Sequence, residues 1–132
     1  MPLDPGLIEA VRQVLSAVEG DAEISLESVA QAVNLSPRTL QRHLRAMGTT
    51  LRHEYDIVRM SKAQSLLADP QYSLMEIAFL LGFAEQSTFH RAFKRWSGMS
   101  PFVFRQEILA RLVKKMSSSV KVNDPVLTSA NS

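Results

Sequence analysis

One pattern of apolar and polar residues occurs twice in this chain, and it constrains the fold more than any other feature of the sequence. At an offset of 48 positions, the paired residues are Ser25 and Ser73, Leu26 and Leu74, Val29 and Ile77, Ala30 and Ala78, Val33 and Leu81, Asn34 and Gly82, and Leu35 and Phe83. At an offset of 49 positions, they are Thr39 and Thr88, Leu40 and Phe89, Arg42 and Arg91, Leu44 and Phe93, Arg45 and Lys94, and Met47 and Trp96. Such internal similarity indicates one supersecondary unit present twice.

The apolar residues recur with a helical period almost everywhere, and no stretch alternates with a period of two. We therefore predict an all-α domain of seven helices. The predicted helices lie between residues 4 and 20, 25 and 33, 36 and 47, 50 and 68, 73 and 81, 85 and 96, and 100 and 116. The predicted domain spans residues 1–116, with a first unit at about 25–48, a linker helix at about 50–68 and a second unit at about 73–98. Residues 117–132 are polar and without periodicity, and we expect a disordered tail there.

Each copy of the repeat has the pattern of a helix-turn-helix unit. A small residue, Ala30 or Ala78, allows the two helices of the unit to approach closely. Asn34 and Gly82 are residue types that tolerate a left-handed backbone, which a turn of three to four residues requires. The sequence therefore predicts two helix-turn-helix units joined by the linker helix.

Charge is distributed unevenly along the chain. Residues 1–33 carry one basic and six acidic side chains, whereas residues 34–115 carry thirteen basic and six acidic ones. A basic stretch of this kind favours a polyanionic partner, with nucleic acid ahead of a membrane surface, although a solvated basic face is the simpler alternative. The chain has no cysteine, no apolar run long enough to span a membrane and no leader-like start, so we expect a cytoplasmic protein without disulfides or thiolate metal sites.

The second helix of each unit separates into an apolar and a basic face at 100° per residue. The polar faces carry Arg38, Gln41, Arg42 and Arg45 in the first unit, and Ser87, His90, Arg91 and Lys94 in the second. Arginine pairs with guanine and glutamine with adenine in the major groove, whereas lysine mostly contacts phosphate. These faces fit two DNA-reading helices; the alternative is a pair of solvated amphipathic helices.

The length of the linker helix allows both reading helices to contact one duplex. About 19 residues give roughly 28 Å of helix, and successive major grooves on one face of DNA are about 34 Å apart. Because the two reading faces differ in sequence, the DNA site should be asymmetric. Bending of the DNA toward the protein would close a remaining gap at a cost of about 1–6 kcal/mol.

The stretch from Ile24 to Arg105 resembles the tandem helix-turn-helix domain of the AraC/XylS transcriptional regulators. The most specific part is GFAEQSTFHRAFKRWSGMSPFVFR, which has the family's Gly-Phe turn, its two aromatic residues four positions apart, its Gly-x-Ser-Pro and its aromatic-x-x-Arg close. LSPRTLQRHLRAMG matches the first unit and RMSKAQSLL the linker helix. The resemblance implies base reading by Arg38, Thr39, Gln41 and Arg42 and by Glu85, Gln86, Ser87, His90 and Arg91. Arg45, Lys94 and Arg95 are our candidates for phosphate contacts.

The same resemblance implies a regulator of transcription at the bacterial nucleoid that binds double-stranded DNA and contacts RNA polymerase, with activation expected ahead of repression. Members usually carry a separate sensing and dimerising domain, so this chain is either an excised C-terminal piece or a stand-alone short member. Two other classes stay open. One is a protein-interaction module whose basic faces bind an acidic partner, and the other is an accessory domain of an enzyme, which would carry further sequence.

The sequence predicts neither an enzyme nor a metal or cofactor site. The five glycines form no phosphate-binding loop, and no nucleophile and base are spaced for catalysis. Of the three histidines, His43 lies beside the apolar stripe, and His53 is followed by Ile57 where a metalloprotease helix would have a second histidine. We expect Arg59 and Asp56 on the linker helix to be structural or ion-pairing groups, with little stabilisation where such a pair is exposed, and Trp96 to lie in the core.

Overall fold

The structure is a computed structural model, and it describes residues 5–18 and 24–122, with the side chains of residues 6–18 and 24–117. These residues form seven α-helices and no strand, which confirms the predicted fold class. The helices are α1 (Pro5–Ser16), α2 (Leu26–Ala32), α3 (Pro37–Ala46), α4 (Leu51–Leu67), α5 (Leu74–Leu80), α6 (Gln86–Ser97) and α7 (Pro101–Val122). The predicted cap at Asp4 and the predicted end of α1 at Gly20 lie outside the described residues.

Two hydrophobic cores form along α4, one near each end. The first contains buried residues of α1, α2 and α3 together with Tyr55 and Val58 of α4. The second contains buried residues of α5 and α6 together with Ala63 and Leu67 of α4. Because one continuous helix contributes to both cores, α4 carries the two helix-turn-helix units on a common axis.

The turns of the two units are built alike. Asn34 has a φ of 60° and Gly82 a φ of 88°, so both predicted left-handed positions are confirmed. The backbone N–H of the next residue then donates to the carbonyl of the small alanine in the preceding helix, from Leu35 to Ala30 and from Phe83 to Ala78, at 2.9 Å in each unit. The turn geometry therefore repeats along with the sequence pattern.

Side-chain caps fix where four of the helices begin. Ser25, Ser36, Thr50 and Ser73 each accept a hydrogen bond from the backbone N–H three residues later. At Ser73 the carboxylate of Glu76 also accepts from the Ser73 N–H, which completes a capping box. Each cap satisfies a backbone donor that the helix itself cannot pair, so these starts are set locally by the sequence.

The last carbonyls of α4 are satisfied by a side chain from α7. Arg105 Nε donates to the Leu67 carbonyl at 3.0 Å, and Arg105 Nη2 donates to those of Leu66 and Asp69 at 3.4 and 3.2 Å. A cation at the carboxyl end of a helix also interacts favourably with the helix dipole. The arginine that closes the sequence motif is therefore a structural cap that attaches α7 to the end of α4.

Arg105→Ala is expected to lower the free energy of unfolding by about 2 kcal/mol, because it leaves carbonyls at the end of α4 without a charged donor. Urea denaturation followed by circular dichroism measures this change. Arg111→Ala removes an exposed arginine from the same helix and should change stability by less than about 0.5 kcal/mol. Equal losses in the two variants would contradict the role assigned to Arg105.

The end of α7 differs from the predicted end near Met116. The helix continues to Val122, so residues 117–122 are helical rather than part of an irregular tail. No glycine or proline occurs between Phe102 and Asp124, and three serines lower helix propensity without breaking the hydrogen-bond ladder. Residues 123–132 of the expected tail lie outside the described residues.

Candidate nucleic-acid interface

Because one face of α3 is buried, its opposite, polar face lies toward solvent. Leu40 and Leu44 are buried in the first core, and Met47 packs partly buried against it. All four polar residues predicted for the opposite face, Arg38, Gln41, Arg42 and Arg45, are exposed. The structure thus presents the three cations and the amide of α3 together at the surface.

Thr39 differs from its neighbours on α3 because it is half-buried and takes part in the helix cap. Its backbone N–H donates to Ser36 Oγ at 3.1 Å, and the Ser36 hydroxyl donates to Thr39 Oγ1 at 2.8 Å. With its oxygen already accepting a hydrogen bond, Thr39 keeps its own hydroxyl proton to donate. A contact from Thr39 to DNA can therefore use its hydroxyl proton, the second lone pair of its oxygen or its methyl group.

The buried face of α6 is aromatic. Phe89 and Phe93 are fully buried with ring centroids 5.9 Å apart, and Phe93 meets Phe104 of α7 edge-on at 5.3 Å. Trp96 is partly buried against this core, which agrees with its expected place. On the opposite side of the helix, the predicted polar face is exposed at every position: Ser87, His90, Arg91 and Lys94. Gln86, which the resemblance implied as a base reader, is exposed as well.

Glu85 marks the start of α6 without capping it. Its side chain makes no hydrogen bond to the first backbone amides of the helix, and instead its Oε2 accepts from the Ser87 hydroxyl at 3.4 Å. Glu85 is exposed. A carboxylate can accept from the amino group of cytosine, so the first turn of α6 offers an acceptor where the rest of the face offers donors.

The three candidates for phosphate contacts, Arg45, Lys94 and Arg95, are all exposed. They lie in the last turns of α3 and α6, where a cation also complements the helix dipole. Their position at the ends of the two helices, beyond the central residues of each polar face, suits contacts with the DNA backbone on the flank of a groove.

A buried carboxylate that the sequence did not single out fixes the start of α4. The side chain of Glu54 is 3% exposed; its Oε1 accepts from Arg12 Nε at 2.6 Å, and its Oε2 accepts from the Thr49 hydroxyl at 2.5 Å. This network joins α1 to the loop that follows α3, across 42 residues of sequence between Arg12 and Glu54. The only local signal was an ionisable residue on the buried side of the predicted helix.

Arg59 and Asp56 pair, as expected of structural or ion-pairing groups, with Arg59 Nη2 3.3 Å from Asp56 Oδ1. The pair is not a surface pair, because Arg59 is only 3% exposed. Its guanidinium lies over the rings of Tyr55 and Phe83, at 4.6 Å from each centroid, and 5.3 Å from that of Trp96. Burial of this charge is possible because three aromatic faces and a carboxylate surround it.

Other kinds of site were searched for in the described part of the chain. Among residues 5–18 and 24–122, no group of three or more His, Asp or Glu side chains is placed to hold a metal ion. In the same residues, no helix combines the length and apolarity needed to cross a bilayer.

Comparison with known proteins places these helices in a family. A family model described as a helix-turn-helix domain matches residues 29–107, and one described as winged helix-turn-helix DNA-binding matches residues 9–48. Within residues 9–18 and 24–48 the structure has helices and no strand, so no wing is formed there. The first model covers the first helix-turn-helix unit from residue 29 onward, the whole of the linker helix and the whole of the second unit.

Curated relatives extend well beyond the matched region. The chain is 41% identical over 106 residues to the ornithine utilization regulator of Pseudomonas aeruginosa, and 36% identical over 105 residues to the HTH-type transcriptional regulator VirS of Mycobacterium tuberculosis. Each match covers 80% of this chain and 31% of the relative. The chain therefore spans about a third of the length of these regulators.

Solved structures share the arrangement of helices. A DNA-binding transcriptional dual regulator from Escherichia coli K-12 superposes with a TM-score of 0.73 at 24% identity, over 82% of this chain and 96% of that one, which shows the common fold. The DNA-binding domain of AdpA, solved in complex with a target DNA, superposes with a TM-score of 0.64 at 29% identity, over 80% and 94%. The chain belongs to the AraC-type helix-turn-helix family of DNA-binding transcriptional regulators.

Proposed function

We propose that this chain binds a specific, asymmetric site on double-stranded DNA by placing α3 and α6 in successive major grooves. The observation that carries the proposal is the pairing, on one chain, of two exposed basic and amide-bearing helix faces, each backed by a buried apolar face. The similar domain of AdpA binds its target DNA, which supports the same use of this fold here. Base readers on α3 are Arg38, Thr39, Gln41 and Arg42, and on α6 they are Glu85, Gln86, Ser87, His90 and Arg91.

The length of α4 bears on the shape of the bound DNA. Its 17 residues correspond to about 25 Å of helix, less than the separation of about 34 Å between successive major grooves. If the separation of α3 and α6 follows the length of α4, a straight duplex leaves the second reading helix short of its groove. We therefore expect the DNA to bend toward the protein, with a deformation cost of about 1–6 kcal/mol that makes affinity depend on the flexibility of uncontacted steps.

Repeated selection from random duplexes at a stated salt concentration, followed by sequencing, tests the proposal. The expected result is an enriched motif with two unlike halves centred about one helical turn apart. Enrichment of no motif would contradict specific DNA recognition and favour the alternative, a module whose basic faces bind an acidic protein. A motif with a single half would contradict the use of both helices.

Substituting a base-reading residue should weaken binding mainly to the selected DNA sequence, whereas substituting a phosphate-contacting residue should weaken binding to any DNA sequence. Arg42→Ala is expected to weaken binding to the selected site by about 1–3 kcal/mol and to relax preference at one base pair. Lys94→Ala should weaken binding to selected and random DNA alike and reduce the slope of log affinity against log salt by about one unit. Salt titrations of both variants on both DNAs measure this, and equal losses on both DNAs for both variants would contradict the assignment.

Two further parts of the proposal concern the cellular setting. A regulator bound at a promoter acts through the transcription machinery, so contact with RNA polymerase and activation are proposed by analogy with the family. The site of action is then the bacterial nucleoid in the cytoplasm. A transcription assay in vitro with purified polymerase and a selected site tests activation, for which we expect more transcript with the protein than without it.

A further inference from the structure

The two cores meet on α4 at a single buried cation. Tyr55 and Val58 on the first half of α4 belong to the first core, and Ala63 and Leu67 on the second half belong to the second core. Arg59 lies between these two pairs and is buried. Arg59 therefore lies on α4 at the boundary between the first and the second core.

The rings around Arg59 come from both sides of this junction. Tyr55 lies on α4 and belongs to the first core. Phe83 lies in the turn between α5 and α6, and Trp96 lies near the end of α6. Phe83 and Trp96 also contact each other, with centroids 6.2 Å apart. One guanidinium therefore contacts a ring of the linker helix and two rings of the second unit, which includes its reading helix.

Asp56 fixes the direction of the Arg59 guanidinium within the cage formed by the rings of Tyr55, Phe83 and Trp96. Its Oδ1 lies 3.3 Å from Arg59 Nη2, and it also lies 3.7 Å from Arg52 Nε on the preceding turn. A guanidinium is planar, so it can stack on ring faces while its edge pairs with a carboxylate. A lysine ammonium has no plane to stack, and it would keep the charge without the orientation.

We infer that Arg59 is a positioning residue that fixes the orientation of the second unit on the linker helix, and thereby the spacing between the two halves of the DNA site. The inference rests on the proposed binding to two successive grooves. One inserted base pair moves the second half-site by about 3.4 Å and turns it by about 35° around the duplex, because a turn contains about ten base pairs in about 34 Å. A rigidly oriented second unit cannot follow that displacement, whereas a loosely attached one can.

The orientation can be measured in the free protein, without DNA. Because the chain has no cysteine, Gln31→Cys on α2 and Met75→Cys on α5, both exposed, give a single pair of spin labels across the two units. Pulsed electron resonance then gives the distribution of distances between them. Arg59→Met should broaden that distribution about twofold, and Arg59→Lys should broaden it less, since a loosened junction permits hinge motion between packed elements.

The matched control is Val58→Ala, which removes buried bulk from the neighbouring position and leaves the cage around Arg59 intact. It should lower the melting temperature and leave the width of the distance distribution unchanged. If Arg59→Met does not fold, Trp96→Leu keeps an apolar side chain and removes one ring of the cage, and it should broaden the distribution in the same direction. An unchanged width in the folded Arg59 variant, or in Trp96→Leu, overturns the inference.

The consequence for DNA separates this inference from the proposed function. On the selected site, one inserted base pair between the halves should reduce the affinity of the unsubstituted chain by about tenfold or more, since the duplex must be retwisted. For Arg59→Met the same insertion should reduce affinity by less than about threefold. Val58→Ala should lose as much affinity as the unsubstituted chain. If the unsubstituted chain tolerates the insertion, or if Arg59→Met remains as sensitive to it as that chain, the role of Arg59 is wrong. The two-groove proposal fails separately, when selection enriches a motif with a single half.

Discussion

Phe89→Ala is expected to lower the free energy of unfolding by about 3–5 kcal/mol, the usual cost of truncating a fully buried phenylalanine. Phe89 has no exposed surface, and its ring lies 5.6 Å from that of Phe83 and 5.9 Å from that of Phe93. The cavity would lie directly beneath the reading face of α6. We therefore also expect loss of sequence preference in the second half of the DNA site before the first half is affected.

Phe79→Ala provides a matched control, because Phe79 belongs to the same unit but is 78% exposed. Denaturation of both variants in urea, followed by circular dichroism, gives the two free energies of unfolding. The control should change stability by less than about 0.5 kcal/mol. A similar loss in Phe79→Ala and Phe89→Ala would show that the second core is not centred on α6 as described.

Arg12→Ala is expected to lower the free energy of unfolding by about 3 kcal/mol, because it leaves the buried carboxylate of Glu54 without its cation. The value lies at the lower end of the range for buried pairs, since Arg12 is itself 38% exposed and the Thr49 hydroxyl still donates to Glu54. Loss of this contact removes the ion pair between α1 and the first turn of α4, while the buried apolar residues of α1 stay in the first core. Thermal and urea denaturation measure the effect.

The comparison variant for that experiment is Arg52→Ala, which breaks a surface ion pair. Arg52 Nε lies 3.7 Å from Asp56 Oδ1 one turn along the same helix, and the Arg52 side chain is 59% exposed. Exposed pairs of this kind contribute about 0.3–0.5 kcal/mol. If Arg12→Ala costs no more than Arg52→Ala, the Glu54 network does not hold α1 in place.

The sequence predicted the features that short-range chemistry decides. The helix starts at residues 36 and 73 and the left-handed turns at Asn34 and Gly82 follow from residue type and spacing, and each is present, with Ser36 and Ser73 as caps. Exposure of the polar faces of α3 and α6 follows from the same helical period that buries their apolar faces. Because the unit is repeated, these elements occur twice in the same order.

Features that depend on distant contacts were not predictable in this way. Glu54, Arg59 and Arg105 are charged residues whose partners the helical pattern does not name. Partners from other elements are up to 42 residues away for Glu54 and 39 for Arg105, and Arg59 contacts Phe83 and Trp96 of the second unit. Whether a charge is buried depends on rings, carboxylates and carbonyls that only the folded chain brings together. Helical periodicity gives the face on which a residue lies, but not what covers it.

The central claim is that one chain reads two successive major grooves of a duplex. Hydroxyl-radical footprinting of the unsubstituted chain on a selected site tests it most directly, because protection is read at each nucleotide. We expect two protected segments on one face of the DNA, about one helical turn apart, with Arg42→Ala weakening one and Arg91→Ala weakening the other. A single protected segment, or two that respond alike to both substitutions, would contradict the claim.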